Sequence, residues 1–119
     1  MEKINLKQKL DMIEEHWSPK IIGEVNDVYI KLVKFKGEFV WHFHNEEDEL
    51  FYVLKGRMKM KLRSGNIAIE EGECIIIPRE VEHKPVADEE VSLMLIEPKT
   101  TLNTGNIQSE RTVKNLDRI

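Results

Sequence analysis

Two histidines separated by one residue stand in the stretch HFHNEEDELFYVLKG, which runs from His42 to Gly56. In an extended segment His42 and His44 point to the same face, because alternate residues of a strand share a face. Glu49 follows five residues later and opens an apolar run, so its carboxylate reaches the same face if the two segments pair. Two imidazoles and one carboxylate are a recurring ligand set for Fe(II), Mn(II) or Zn(II). Spacing alone leaves two interpretations open, a metal site or exposed histidines beside an acidic turn.

Two further features lie near these residues in the sequence, a candidate for an additional ligand and three consecutive acidic residues. His83 follows the short strand that Pro78 ends, so it is a candidate for an additional ligand. The acids at positions 46–48 are predicted to form a solvated turn rather than to bind the ion.

One helix precedes the strands. Asn5 can cap it, and the Ser18-Pro19 pair ends it, because the residue before proline avoids the helical region. We expect this helix to pack on the outside of a sheet. Its apolar residues recur at intervals of four, three and four, as one helical face requires: Leu6, Leu10, Ile13 and Trp17.

From Val28 onward the apolar period changes to two, which indicates strands. The clearest case is RMKMKLR, where Met58, Met60 and Leu62 alternate with basic residues. Turns follow at 64–66 and 70–73, and the segments 74–77 and 91–96 are further apolar strands. Many short strands with regular turns predict an all-β sandwich or barrel. We divide the chain into a helix and lead-in (1–27), a β-barrel (28–99) and a polar, aperiodic C-terminal tail (100–119).

These spacings resemble the two sequence motifs of the cupin superfamily, which are small jelly-roll β-barrels. The resemblance covers roughly residues 37–87, and fifteen residues separate its two motif glycines, a short spacing typical of compact microbial cupins. The first motif is matched by His42, His44, Glu49 and Gly56. The second motif is matched by Gly72, Pro78 and His83.

The sequence departs from the family pattern at three positions. Four residues separate Gly37 from His42, where the family pattern has five. Glu80 stands at a glycine position, and Ala87 stands where asparagine often occurs. These are turn and outlying positions, so they affect local backbone geometry and leave the expected fold unchanged.

The resemblance implies a single jelly-roll barrel with a short N-terminal helix and one divalent metal ion (Fe, Mn, Zn, Ni or Co). Its ligands would be the four positions that match the family's: His42, His44, Glu49 and His83. A six-coordinate ion held this way keeps two positions open for water or substrate.

Several side chains near these ligands have more than one interpretation. Four are expected to line the cavity beside the ion, with plain core packing as the alternative: Phe51, Val53, Met58 and Met60. Trp41 and Phe43 flank the histidines on the opposite face and are expected to pack against the helix or another subunit. Arg79 and Lys84 could meet an anionic substrate or lie in solvent.

The family hosts many activities, so the sequence leaves several functions open. One hypothesis is a metalloenzyme acting on a small organic substrate, similar to dioxygenases or to mannose-6-phosphate isomerase-like cupins. Isomerisation needs a general base, for which only Tyr29, Tyr52 and spare carboxylates offer themselves, so dioxygenation is favoured. The alternatives are a non-catalytic metal-dependent binding or sensing protein and a structural zinc.

Composition bounds the partners and the setting. The apolar fraction of 40 % and the charged fraction of 34 % are typical of one globular domain. The net charge is −4, and the sequence contains no basic cluster that would suggest binding to nucleic acid. No apolar run is long enough to span a membrane and no signal peptide is visible, so we predict a cytoplasmic protein.

The single Cys74 excludes an internal disulfide, and its isoleucine neighbours predict a buried thiol. We expect a homodimer, formed through residues 28–35 or the outer face of Trp41.

Overall fold

A computed structural model describes residues 1–119 as one short helix followed by seven β-strands. The all-β architecture with a short N-terminal helix agrees with the sequence-based prediction. No helix has the length and apolar character that a membrane crossing requires. The elements are α1 (Leu6–Asp11), β1 (Lys20–Val25), β2 (Val28–Glu38), β3 (Glu49–Lys55), β4 (Arg57–Leu62), β5 (Gly65–Glu70), β6 (Cys74–Ile77) and β7 (His83–Pro98).

The sheet is organised around β7, its longest strand. β7 pairs antiparallel with β2 along most of its length, with β3 through its C-terminal half and with β4 through its N-terminal half. β1 extends the sheet beyond β2, β6 beyond β3 and β5 beyond β4. The sheet therefore begins within the predicted lead-in of 1–27, before the predicted boundary at residue 28. Register shifts in the β2–β7 and β3–β7 ladders bend the strands and help the sheet to curve.

Alternate side chains of the central strands fill the inside of this curved sheet. At one end the apolar alternation continues into three charged residues, Lys31 of β2, Glu49 of β3 and Glu97 of β7, which are buried as well. The inner face is therefore apolar over most of its length and charged at one end. The core comprises Val33, Phe35, Phe51, Val53, Met58, Met60, Ile69, Ile77, Ala87, Val91, Leu93 and Leu95.

The helix is shorter than the apolar spacing predicted. It spans Leu6–Asp11 behind the expected Asn5 cap, and it packs outside the sheet against a second, smaller core. Trp17 lies beyond it in a loop, with a φ of 64°. The Trp17 N–H donates to the Lys34 carbonyl, and its ring stacks on Phe35 with centroids 4.4 Å apart. Aromatic packing against the sheet therefore overrides the helical periodicity at this residue.

Cys74 is exposed, which corrects the prediction of a buried thiol. It begins β6, an edge strand that pairs only with β3. The side chain of Ile76 on the same face is 61 % exposed, and only Ile77 of this strand is buried. Apolar neighbours in the sequence do not produce burial here, because the outer face of this edge strand is open.

The predicted dimer interface at residues 28–35 meets a topological constraint. The Val28–Leu32 part of β2 is paired with β1 on one side and with β7 on the other. It has no free edge to offer to a second copy, whereas β5 and β6 each pair with only one strand. The homodimer itself stays a prediction.

The C-terminal segment, residues 100–119, folds back over the loop that carries His42 and His44. The Phe43 N–H donates to Asn106 Oδ1 at 2.8 Å, and the Asn106 N–H donates to the Phe43 carbonyl at 3.0 Å. Thr104 is completely buried in this contact region. The segment therefore forms a wall of the barrel end.

Gly105 packs tightly against the loop that carries His42 and Phe43. A Cβ there would lie 2.2 Å from the Phe43 carbonyl oxygen and 3.2 Å from Cδ2 of His42. We expect Gly105→Ala to lower the free energy of unfolding by about 2–4 kcal/mol, because the segment must move and the positive φ is strained. Denaturant unfolding followed by circular dichroism measures the loss.

Gly72→Ala is the matched control for this substitution. Gly72 also has a positive φ, but a Cβ there meets nothing within 4 Å. We expect a loss of only about 1–2 kcal/mol, from backbone strain alone. Equal losses in the two variants would contradict the close packing of the C-terminal segment.

Candidate metal centre

The four predicted ligands meet at the charged end of the barrel. His83 opens β7, and its backbone exchanges two hydrogen bonds with that of His42, at 2.9 and 3.1 Å. Glu49 is the first residue of β3. The carbonyl of His44 accepts a hydrogen bond from the Glu80 N–H at 2.7 Å, which ties the His44 loop to the turn before β7. One ligand atom from each of the four side chains lies within 4.8 Å of the others.

Backbone carbonyls orient two of the three imidazoles. Nδ1 of His42 lies 2.9 Å from the Val40 oxygen, and Nδ1 of His83 lies 2.9 Å from the Val81 oxygen. A carbonyl oxygen only accepts hydrogen bonds, so each Nδ1 must carry the proton. In the neutral rings Nε2 therefore keeps its lone pair, which is the usual arrangement for a metal-binding histidine.

The atoms that would bind the ion lie close together without forming hydrogen bonds to one another. Nε2 of His44 is 2.8 Å and Nε2 of His83 is 3.2 Å from Oε1 of Glu49, yet all three atoms lack a hydrogen-bond partner. Adjacent ligands about 2.1 Å from one ion, at right angles, are separated by roughly 3 Å. The four residues are at most 4 % exposed. This buried donor set therefore fits a divalent ion.

Two of the ligands have shifted pKa values. Burial lowers the pKa of His42 to about 4, and the neighbouring His83 acts in the same direction. The His42 ring is therefore neutral near pH 7, the state that binds metal. Burial works to raise the pKa of Glu49, but contacts with Glu97, His44 and His83 outweigh it and hold the pKa well below the usual range.

A second buried carboxyl group adjoins the ligands. The β3–β7 register pairs Leu50 with Ile96, so it continues to Glu49 opposite Glu97. Lys31 donates to Oε1 of Glu97 at 2.6 Å, and both side chains are 2 % exposed. Burial raises the pKa of Glu97 well above its usual range, and the nearby charge of Glu49 adds to the rise. Two carboxyl groups and one ammonium group thus form a continuous buried row.

A small cavity of about 50 Å³ borders His42 and Glu49. One wall is aromatic, because Trp17 stacks on Phe35 and also on Phe39, at centroid distances of 4.4 and 5.1 Å. Glu97 and an asparagine of the C-terminal segment also line the cavity, whereas no lysine or arginine does. The site therefore opens into a largely apolar space.

The four side chains that the sequence suggested as cavity lining divide into two groups. Phe51 lies in the cavity wall. Val53, Met58 and Met60 lie in the hydrophobic core and do not line the cavity, so the packing interpretation describes them. The cavity therefore does not extend to these three core side chains.

The two cations considered as anion anchors are engaged elsewhere. The Arg79 N–H donates to Oδ1 of Asp48 at 2.8 Å, and its guanidinium contacts the same carboxylate. Nζ of Lys84 lies 3.2 Å from the Glu38 carboxylate. Neither cation lines the cavity. Asp48, at the acidic turn, therefore joins the β3 loop to the turn before β7.

The outer aromatic residues contact parts of the chain other than the helix. The Arg63 guanidinium lies 3.8 Å from the centroid of Trp41, and the Phe43 backbone binds the C-terminal segment. Glu80, at the glycine position of the family pattern, has a φ of 71°. It keeps the left-handed conformation that glycine favours, so the motif geometry survives the substitution.

The sequence interpretation missed the residues around the ligands. Leu93 and Leu95 share the inner face with Glu97, so the strand alternation was a readable signal for a buried acid. Lys31 continues the inner face of β2 in the same way. No sequence signal placed Trp17 in the cavity wall, because its loop position depends on tertiary stacking.

Comparison with known proteins agrees with this geometry. A protein-family model described as a cupin domain (Cupin_2) matches residues 31–97. A cupin-2 domain containing protein from Shewanella frigidimarina is 48 % identical, with a TM-score of 0.80 over 81 % of this chain and 94 % of that chain. Protein NMB1881 from Neisseria meningitidis is 37 % identical, with a TM-score of 0.76 over 82 % of this chain and 100 % of that chain.

A curated enzyme is similar over a shorter stretch. The 3-hydroxyanthranilate 3,4-dioxygenase of Ruegeria pomeroyi is 38 % identical over 63 residues, which are 48 % of this chain and 35 % of that enzyme. The family match covers more than half of the chain and contains all four ligand positions. On the fold, the ligand cluster and this match, the chain belongs to the cupin family and forms a single all-β jelly-roll domain.

Proposed function

We propose that this cupin is a mononuclear metal-dependent enzyme acting on a small organic substrate, with dioxygenase chemistry as the favoured class. One observation carries the proposal. Three imidazoles and one carboxylate meet in a buried cluster, in which Nε2 of His44, Nε2 of His83 and Oε1 of Glu49 lack hydrogen-bond partners. Two members of this cluster, His42 and Glu49, border an aromatic-walled cavity. Buried polar atoms without partners are rare in folded proteins and call for a specific explanation, such as an ion.

Several residues of the chain prepare the site for an ion and a substrate in this proposal. A bound divalent ion would supply Lewis-acid chemistry or, as Fe(II), dioxygen activation. The backbone carbonyls fix the rings of His42 and His83, so both Nε2 atoms are oriented before binding. Glu49 is the only charged ligand, which leaves net positive charge to attract an anionic chelating group. The aromatic wall formed by Trp17 and Phe39 would limit the access of water to the ion.

The cavity favours dioxygenation over sugar-phosphate isomerisation. No lysine or arginine lines it, so a phosphate away from the ion would meet no cation. A stacked aromatic wall suits a planar substrate better than a polyol. Dioxygenation also asks for less acid–base chemistry from the protein. The similarity of part of the chain to a 3-hydroxyanthranilate dioxygenase points in the same direction.

A non-catalytic metal-dependent binding or sensing protein is the second candidate. The observation in its favour is that the polar side chains that line the cavity beside the ligands are each held by another part of the chain. Asn103 donates to the Arg111 carbonyl and accepts from the Val113 N–H, and Glu97 is held by Lys31. A ligand would then be held mainly through the ion.

Metal content is the first test. Protein purified without chelator or affinity nickel is expected to carry about one equivalent of a divalent metal, which the His42→Ala/His44→Ala variant loses, because four ligands hold one ion. Removing an ion present at 100 times its Kd would cost about 2.7 kcal/mol of stability. Elemental analysis and thermal unfolding with and without chelator measure both effects.

His16→Ala is the matched control for the metal test. His16 is the remaining histidine, lies at the surface and contacts Glu90 at 2.7 Å. This variant should keep the metal content of the unaltered protein. A metal-free protein that gains no stability from Fe(II), Mn(II) or Zn(II) would refute the metalloenzyme proposal.

Dioxygen consumption distinguishes the candidate activities. The Fe(II)-loaded protein is expected to consume dioxygen with small planar catechols or aminophenols, because such compounds chelate the ion and stack on the aromatic wall. Aldose phosphates should not be isomerised. An oxygen electrode and product analysis measure this, with the His42→Ala/His44→Ala variant as the blank. Saturable aromatic binding without dioxygen uptake would favour the sensing protein.

A further inference from the structure

Three charged side chains from three neighbouring strands form a row across the inner face of the barrel. β7 lies between β2 and β3, so Glu97 lies between Lys31 on one side and Glu49 on the other. Lys31 and Glu97 are 1 % and 3 % exposed. The next inward positions on these strands are apolar, as Val33 and Leu95 show. The row is thus an interruption of the core directly beside the metal ligands.

Stability alone does not account for this arrangement. A buried ion pair loses much of its attraction to desolvation, and well-packed apolar residues of similar volume are often as stable or more stable. Two acidic side chains directly opposite each other on adjacent strands are also unfavourable. Oε2 of Glu97, the oxygen that Lys31 does not hold, has no hydrogen-bond donor. The row therefore needs an explanation other than packing.

We propose that Glu97, anchored by Lys31, is a positioning residue that holds the Glu49 carboxylate in its metal-binding orientation. The inference rests on the proposed metal site. Lys31 fixes Glu97 through a contact of 2.6 Å, and Glu97, on the strand adjacent to that of Glu49, in turn limits where the Glu49 carboxylate can lie. Oε1 of Glu49 is thereby kept facing the Nε2 atoms of His44 and His83, at 2.8 and 3.2 Å.

The charges of the row fit this role. The ammonium of Lys31 lies beyond Glu97, and a divalent ion would lie beyond Glu49. Each carboxylate then has a positive charge on its outer side, which compensates for the repulsion between the two acids. The Lys31–Glu97 pair should therefore strengthen the binding of an ion at the ligands, and a bound ion should stabilise the pair. A merely structural pair would show no such coupling to metal affinity.

The test compares metal affinity with the stability of the metal-free protein. Co²⁺ serves as the probe, with its Kd measured by competition with a chromophoric chelator. The Lys31→Met/Glu97→Leu variant removes the whole pair, so its metal-free form should be at least as stable as the unaltered protein. Its Co²⁺ affinity should nevertheless fall by about 10–100-fold, the usual effect of losing a group that orients a ligand.

Two further variants serve as controls, one for the charge of Glu97 and one for the general effect of removing an ion pair. Glu97→Gln keeps a polar group of the same shape, so it should retain more Co²⁺ affinity than the double variant does. Arg57→Met/Glu70→Leu removes an exposed pair on β4 and β5, with a contact of 3.1 Å, and should leave the Co²⁺ affinity unchanged.

The outcomes separate this inference from the proposed function. An unaltered Co²⁺ affinity in the folded Lys31→Met/Glu97→Leu variant would overturn the positioning role while leaving the metal site intact. Absence of Co²⁺ binding by the unaltered protein would overturn both. A selective loss of affinity in a stable double variant is the expected result and supports the inference.

Discussion

The burial of several lone pairs in an apolar barrel is the constraint on which the rest of the structure depends. Nε2 of His44, Nε2 of His83 and Oε1 of Glu49 are buried without hydrogen bonds. Each such atom costs about 1–3 kcal/mol of desolvation, which an ion bound by all of them would offset. The protein must hold these atoms in place against that cost, so the surrounding backbone is tightly connected. The double hydrogen bond between His42 and His83 provides the central connection.

The curvature of one strand allows these groups to meet. His83 and Glu97 are 14 positions apart on β7, which would span about 45 Å in a straight strand. Yet Nε2 of His83 lies 3.2 Å from Glu49, and Glu97 lies beside Glu49 on the adjacent strand. β7 must therefore wrap around the barrel, and the register shift after Phe35 in its partner β2 accompanies this bend. The C-terminal segment then closes the same end, where Gly105 leaves room for the Phe43 carbonyl.

The alternation of apolar residues and the motif spacing were sufficient to predict the strands and to suggest the ligand set, because both are local properties of the chain. They were not sufficient at Trp17, where stacking across the sheet determines the conformation, or at Cys74, where an edge strand leaves the side chain exposed. Lys31 and Glu97 could be predicted from the sequence only in part. Their inward direction follows from strand parity, but their mutual contact depends on the order of strands in the sheet.

That strand order also bears on the substrate. Lys31 is paired with Glu97, and Glu49 is the only charged ligand, so a divalent ion would leave net positive charge at the cavity. No other cation lines the cavity, so an anionic group of the substrate would have to bind the ion itself. The remainder of the molecule would then lie against the aromatic wall beside Phe39. Such a division favours a compact, flat chelator over a molecule whose charge lies far from its reacting atoms.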